Sequence, residues 1–343
     1  MVASARGRIP GRTRRWTVVV AWMERYQLPL YVGALLLGAV VGLVVPAAGA
    51  VAVHAVEPCL ALLLYVTFLG IPMRRLGAAL RDARFVGSLL VLNFLLVPPL
   101  AWLLSRLVAH DEALLVGVLF VLLTPCIDYV IVFAGIAGGD ARRLLAAAPL
   151  LMVVQALLLP VFLFLFVGPD TASAVEPGPF LRALLVIVLL PLVAAWLTQL
   201  VAPRFGFEAA VERSANAAMV PLMMVTLAIV VASQIAGVGT ELGALALAVP
   251  VFVLFVAVAL PLGMLVGRVA RIDVAGRRAL VFSGATRNSL VVLPLALTLP
   301  DRFALAPLVV VTQTLVELGA MVLLVRIVPL LVRDARPGIE RAG

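Results

Sequence analysis

The sequence predicts an all-α integral membrane protein: ten transmembrane helices in two inverted five-helix repeats, with helices 4 and 9 broken where they cross. Three observations predict it. The chain has 343 residues, 64% of them hydrophobic and only 13% charged, where a soluble domain carries roughly a quarter charged residues. Its arginines gather between apolar runs, in alternate connections. Two apolar runs are interrupted by polar residues, Thr124-Pro125-Cys126-Ile127-Asp128 and Thr286-Arg287-Asn288-Ser289, at matching places in the two halves.

The mean hydropathy of +1.22 makes the bilayer the main solvent. Lipid offers the backbone no hydrogen bonds, so spanning segments must be helices or a closed barrel. Barrel strands alternate apolar and polar residues, and these runs do not. A helical span needs about 20 mostly apolar residues. Ten such runs fit, at 28–46, 55–73, 85–107, 113–137, 144–168, 180–202, 216–235, 242–267, 279–300 and 304–331. The first begins after an Arg-rich start and ends in Ala47-Ala48-Gly49-Ala50, as a signal peptide would. Its apolar run is longer than the 7–15 residues, about, of a signal peptide's core, so it reads as a span. The connection from Pro203 to Ala215 carries both Arg and Glu and reads as a solvated loop. Residues 1–27 then form an Arg-rich tail, 28–331 the membrane domain, and 332–343 a second tail.

Orientation follows from the arginines. All 26 basic residues are Arg. With the N-terminus in the cytoplasm, 22 of them fall inside and three, Arg106, Arg182 and Arg302, outside; Arg287 alone lies within a span. That bias places both termini in the cytoplasm of a multi-pass plasma-membrane protein. An even count of spans preserves it. Five spans per half run in opposite directions, so 28–168 and 180–331 form an inverted repeat, and the fourth span corresponds to the ninth. Paired interrupted spans of this kind point to a transporter's substrate site.

Inside the fourth span, Pro125 removes a backbone donor and kinks the helix. In the ninth, four consecutive polar residues precede Pro294. Crossing there would bring half-helix ends, with their unpaired N–H and C=O groups, toward mid-bilayer. Charged groups in such a place face a cavity or each other. Asp128 and Arg287 therefore read as a pair. Two roles are open: a salt bridge locking the spans together, or a proton-exchanging Asp128 whose charge Arg287 balances. Cys126 is either a small buried hydrophobe or a soft ligand for a metalloid. Thr124, Asn288 and Ser289 offer oxygens and an amide to a polar substrate. Asn93 and Gln155 read as helix-to-helix glue. Gln313 and Glu317 share one face of the tenth span, and Glu317 is an intramembrane acid with no evident partner in the sequence.

Other function classes are excluded. The arginines mark topology, so no nucleic acid is expected. His54 and His110 lie in or near outer loops, and there is no phosphate-binding or dinucleotide fingerprint. Gly138-Gly139-Asp140 reads as a turn into Arg142 and Arg143. No enzyme activity, cofactor or metal is expected. Cys59 and Cys126 sit at different depths, with no disulfide or zinc spacing.

The fourth span with its loop reads LLTPCIDYVIVFAGIAGGDARRLLAAAPLL, the second EPCLALLLYVTFLGIP, and the ninth GATRNSLVVLPLALTLP. Together they resemble the arsenic-resistance permeases within the bile acid/sodium symporter superfamily, over nearly the whole chain after its tail. The resemblance implies a panel domain and a core domain, the crossing of spans 4 and 9 inside the core, and export of arsenite, or the related antimonite, driven by protons rather than sodium. It carries the family's fourth-span cysteine onto Cys126. The better-known arsenite exporters also have a Glu in span 9. This sequence has Thr286-Arg287-Asn288-Ser289 there, which turns the search for a coupling acid to Asp128, and then to Glu317. The runner-up is a sodium-coupled organic-anion importer, in which Arg287 would meet a carboxylate.

Overall fold

The computed structural model describes residues 19–333 except 21, 24, 71–81, 128, 169–183 and 298. Every regular element named among them is helical. The first helix, α1 (Gln27–Val44), is followed at once by α2 (Pro46–Leu69), where Pro46 opens the new helix at a position that needs no N–H. Next come α3 (Ala83–Leu90), a π-helical turn (Val91–Leu96) and α4 (Val97–Ser105), which stack as one rod. Then follow α5 (Glu112–Leu122), α6 (Tyr129–Ile136) and α7 (Ala141–Val167). After a second π turn (Leu184–Leu189) the chain continues as α8 (Leu190–Val201), α9 (Glu208–Thr240) and α10 (Leu242–Val269). It closes with α11 (Val274–Ala285), α12 (Ser289–Leu297) and α13 (Leu305–Leu331).

Six of the described helices are long and apolar enough to cross a bilayer. Outward faces of these helices and of the shorter α1 are greasy: Leu36, Leu37, Val44, Leu103, Leu157 and Val269 all stand exposed, as side chains facing lipid must. Among the described residues, apolar helix is found within each of the runs read from the sequence. Two details differ. The stretch expected as a loop after Pro203 is a short 3-10 turn, and α9 starts at Glu208. Good helix formers and an acid at the helix start extend that rod beyond its apolar part. Helix also reaches back before Gln27, over Val19–Val20 and Trp22–Met23. The tails before residue 19 and after 333, and the connection at 169–183, lie outside the described residues.

The helices pack in two groups. In one, α9 lies along α1 and α2, and α8 joins α2. Gly38 and Gly42 make the α1–α9 approach possible. A Cβ on Gly42 would come within 2.5 Å of the Ala232 carbonyl, and one on Gly38 would run into Ala228. This is the small-residue packing that membrane helices use in place of a hydrophobic driving force. The other group holds α3–α7 and α10–α13 around the two breaks. The groups touch where α13 meets α9 and where α12 meets α2.

At one end of the second group, three aspartates cap helix starts: Asp82 for α3, Asp140 for α7 and Asp273 for α11. Arg143 draws all three together, at 3.3 Å from Asp82 and 3.2 Å from Asp140, and also in contact with Asp273. Partial burial of Asp273 opposes its ionisation, but the hydrogen bond and charge of Arg143 outweigh that and hold the carboxyl below the usual range. At the same end, Arg278 donates to the carbonyls of Ala137 and Val332, tying the end of α6 to the end of α13. Gly138 turns the chain there with φ +69, and a side chain at that position would collide with Arg278.

Candidate transport site at the crossing of the two broken helices

Neither α5 nor α6 is long enough to cross a bilayer alone, and the same holds for α11 and α12. Each pair occupies one of the apolar runs read from the sequence, with a break inside it. The first break is more than the kink expected from Pro125. The helix stops at Leu122, and Thr124 closes it: its hydroxyl donates to the carbonyls of Val121 at 2.9 Å and Phe120 at 3.2 Å. The second break opens the same way. Thr286 turns its hydroxyl back to the carbonyl of Phe282 at 2.8 Å and leaves the helix with extended φ, ψ of -111, 145.

Between these threonines the two chains run antiparallel. The N–H of Asn288 donates to the Thr124 carbonyl at 2.9 Å, and that of Cys126 to the Thr286 carbonyl at 3.4 Å. Pro125 and Arg287 face each other as the central pair. The central pair exchanges no hydrogen bonds of its own in this register, so proline's missing N–H leaves nothing unmade. Across the pairing Thr124 faces Asn288, Pro125 faces Arg287 and Cys126 faces Thr286.

Arg287 is fully buried. Its backbone N–H donates to Glu317 Oε2 at 2.7 Å. Its guanidinium donates through Nη2 to Asn93 Oδ1 at 2.9 Å and to the carbonyls of Ser283 and Gly284 at 2.8 and 2.7 Å. Nη1 meets the Leu122 carbonyl at 3.4 Å. The Phe255 ring covers it, 5.2 Å from centroid to guanidinium carbon. Asn93 sits on the π turn of the α3–α4 rod and is itself steadied by Ser283 Oγ at 3.0 Å and the Leu89 carbonyl at 3.1 Å.

The other residues singled out in the sequence gather on the same crossing. Asn288 caps α12 through Oδ1, which accepts from the Val291 N–H at 3.2 Å. Its Nδ2 is buried with no hydrogen-bond partner among the described residues. Ser289 accepts from the Thr314 hydroxyl at 2.7 Å. Glu317 is buried and accepts from Gln313 as well as from Arg287. It has the partners that the sequence did not reveal. Cys126 is buried and lies within electrostatic reach of Arg287. Asp128 lies outside the described residues, and with it the expected contact to Arg287. Gln155 is buried on α7 with its Oε1 unpartnered among the described residues. Cys59 lies on α2, in the other helix group. No cluster of His, Cys, Asp and Glu among the described residues could hold a metal ion.

Sequence reasoning missed Ser283 and Phe255, and read Asn93 only as glue. Ser283 carried a signal, since it precedes Arg287 by one helical turn. Phe255 carried none, being one phenylalanine among many apolar residues of α10.

A match to a known family stands beside this geometry. The model of the sodium bile acid symporter family matches residues 57–241, from within α2 to the end of α9. The chain belongs to the sodium bile acid symporter family. Members of that family are transporters, which accords with interrupted membrane helices crossing inside the protein. The matched stretch contains the Thr124–Asp128 break and ends before the one at Thr286. No curated protein matches the chain.

Proposed function

We propose that this member of the sodium bile acid symporter family is a secondary active transporter that exports arsenite, and the related antimonite, by proton antiport across the plasma membrane. In this reading ten helices form two inverted five-helix repeats, 28–168 and 180–331, with both termini in the cytoplasm. The observation that carries it is the position of Cys126. Its thiol is buried at the crossing, next to the backbone bonds that join the two breaks. A thiolate is a soft ligand suited to a trivalent metalloid. Thr124, Asn288 and Ser289 supply the polar surroundings, and the buried Nδ2 of Asn288 is a donor available to a hydroxyl oxygen of the substrate. In this reading Asp128 and Glu317 are the acids that exchange a proton, and Arg287 holds their charge.

The family match favours a second reading, sodium-coupled symport of an organic anion. Uptake into everted vesicles separates the two. Arsenite accumulation driven by a proton gradient, and lost in Cys126→Ser while the protein stays in the membrane, supports export. Uptake of a bile-acid-like anion driven by sodium alone, with Cys126→Ser active, replaces it with the second reading.

A further inference from the structure

Backbone carbonyls and one side-chain amide oxygen hold the Arg287 guanidinium. Four oxygens converge on its guanidinium: Asn93 Oδ1 and the carbonyls of Leu122, Ser283 and Gly284. Leu122 is the last residue of α5, and Ser283 and Gly284 belong to the final turn of α11. These are helix C-terminal carbonyls, which lack intrahelical partners and carry the negative end of the helix dipole. In broken membrane helices, carbonyls of that kind coordinate small cations. These four oxygens, from two half-helix ends and one amide, have the chemistry of a monovalent-cation site, with the acid Glu317 nearby and the Phe255 ring closing one side.

Here a covalently attached cation fills it. The guanidinium stays charged at any physiological pH, and its Nη1 and Nη2 are engaged by the surrounding carbonyls and Asn93. It cannot leave during a transport cycle, so the site can hold charge but cannot carry an ion across. We propose that Arg287 is a tethered counter-cation occupying a monovalent-cation site at the crossing of the two broken helices, so that the protein needs no sodium there. This inference stands on the oxygen shell and does not depend on which substrate is moved.

Thermal unfolding in detergent tests it without any transported substrate. At matched ionic strength, the wild-type protein should unfold at the same temperature in sodium and in choline chloride. Arg287→Ala empties the shell, so its unfolding temperature should fall in choline. Sodium, or low concentrations of guanidinium, should restore it with a saturating dose response. Arg287→Met fills the same space without charge and should gain from neither ion. A saturable sodium stabilisation of the wild type would overturn the proposal. So would an Arg287→Ala protein that responds to neither cation, including one that cannot be recovered folded when prepared in either. Loss of arsenite transport in vesicles would leave these outcomes unchanged, so failure here and failure of the export reading are separately visible.

Discussion

Pro125 and Arg287 oppose each other across the backbone pairing between the two breaks, and each fits the position for its own reason. The central pair exchanges no hydrogen bonds. Proline can sit there because it has no N–H to satisfy. Arginine can sit there because its N–H is left over for the carboxylate of Glu317 on α13. The pairing thus joins three spans through two residues, and it turns the Arg287 side chain back along α11 to the carbonyls it has just left.

Asn93 is the side chain that completes this arrangement from outside the two broken helices. Its Oδ1 accepts from Arg287, and its amide donates to Ser283. Asn93→Ala should cost about 1–3 kcal/mol, the usual penalty for leaving a buried donor without its acceptor. Asn93→Asp keeps the acceptor for Arg287 but loses the amide bonds to Ser283 and the Leu89 carbonyl, and should be less destabilised than Asn93→Ala. The two unfolding temperatures, measured side by side, decide it; equal values for Ala and wild type would remove Asn93 from the site.

The α1–α9 contact should be just as sensitive, for a reason of shape. A side chain at Gly42 meets the Ala232 backbone, which cannot rotate away. Gly42→Leu should therefore lower stability by about 1–3 kcal/mol, the range for overpacking. Gly33→Leu on the same helix has nothing within 4 Å of its new Cβ and should be silent. A Gly42→Leu protein as stable as Gly33→Leu would mean that the two helices do not pack this way.

What could be read in the sequence follows from cost. Arg287 and Glu317 stood out because charge inside an apolar run is expensive, and both are at the crossing. Thr124, Cys126, Asn288 and Ser289 stood out because they border the breaks. Their partners were not legible. Polarity alone paired Arg287 with Asp128, which lies outside the described residues, while the acid seen to bond it is Glu317, on another helix. The π turn that places Asn93 has no sequence signature, since Val91–Leu96 reads as ordinary apolar helix. Carbonyl ligands cannot be read at all, because every residue has one. The ten-span count rested on apolar runs, and the six helices long enough to cross alone account for the coarse part of it.

The Arg143 cluster predicts a pH dependence. The folded-state pKa of Asp273 lies below its ordinary value. Its contribution is therefore fully present above the ordinary carboxylate range of about 4 and is lost as pH falls through the folded value. Arg143→Ala removes that contribution, so the variant should be less stable at neutral pH and should lose less on acidification. The side chains are partly exposed, which limits the difference to about 1 kcal/mol or less. Unfolding temperature followed from neutral pH to about pH 3 gives the comparison. Parallel acid limbs for the two proteins would show that Arg143 does not lower the Asp273 pKa.

Glu317 makes two separable demands on the protein. Structurally, its carboxylate accepts the Arg287 N–H and the Gln313 amide in a buried place. Glu317→Ala removes the acceptor and leaves the charge of Arg287 with one fewer negative neighbour. Breaking a buried charged arrangement on one side typically costs about 3–5 kcal/mol, and the Ala variant should show a loss of that order. Glu317→Gln keeps an oxygen for the N–H and removes only the charge, so it should fold with a smaller loss. Functionally, the export reading gives Glu317 a share in proton exchange, which glutamine cannot perform. The expected result is a Gln variant that is folded, binds arsenite in equilibrium exchange across the vesicle membrane, and no longer accumulates it against a gradient. If the Gln variant accumulates arsenite like the wild type, Glu317 is a structural acceptor only and proton coupling rests on Asp128. If the Ala variant is as stable as the Gln variant, the bond to Arg287 contributes nothing to the fold.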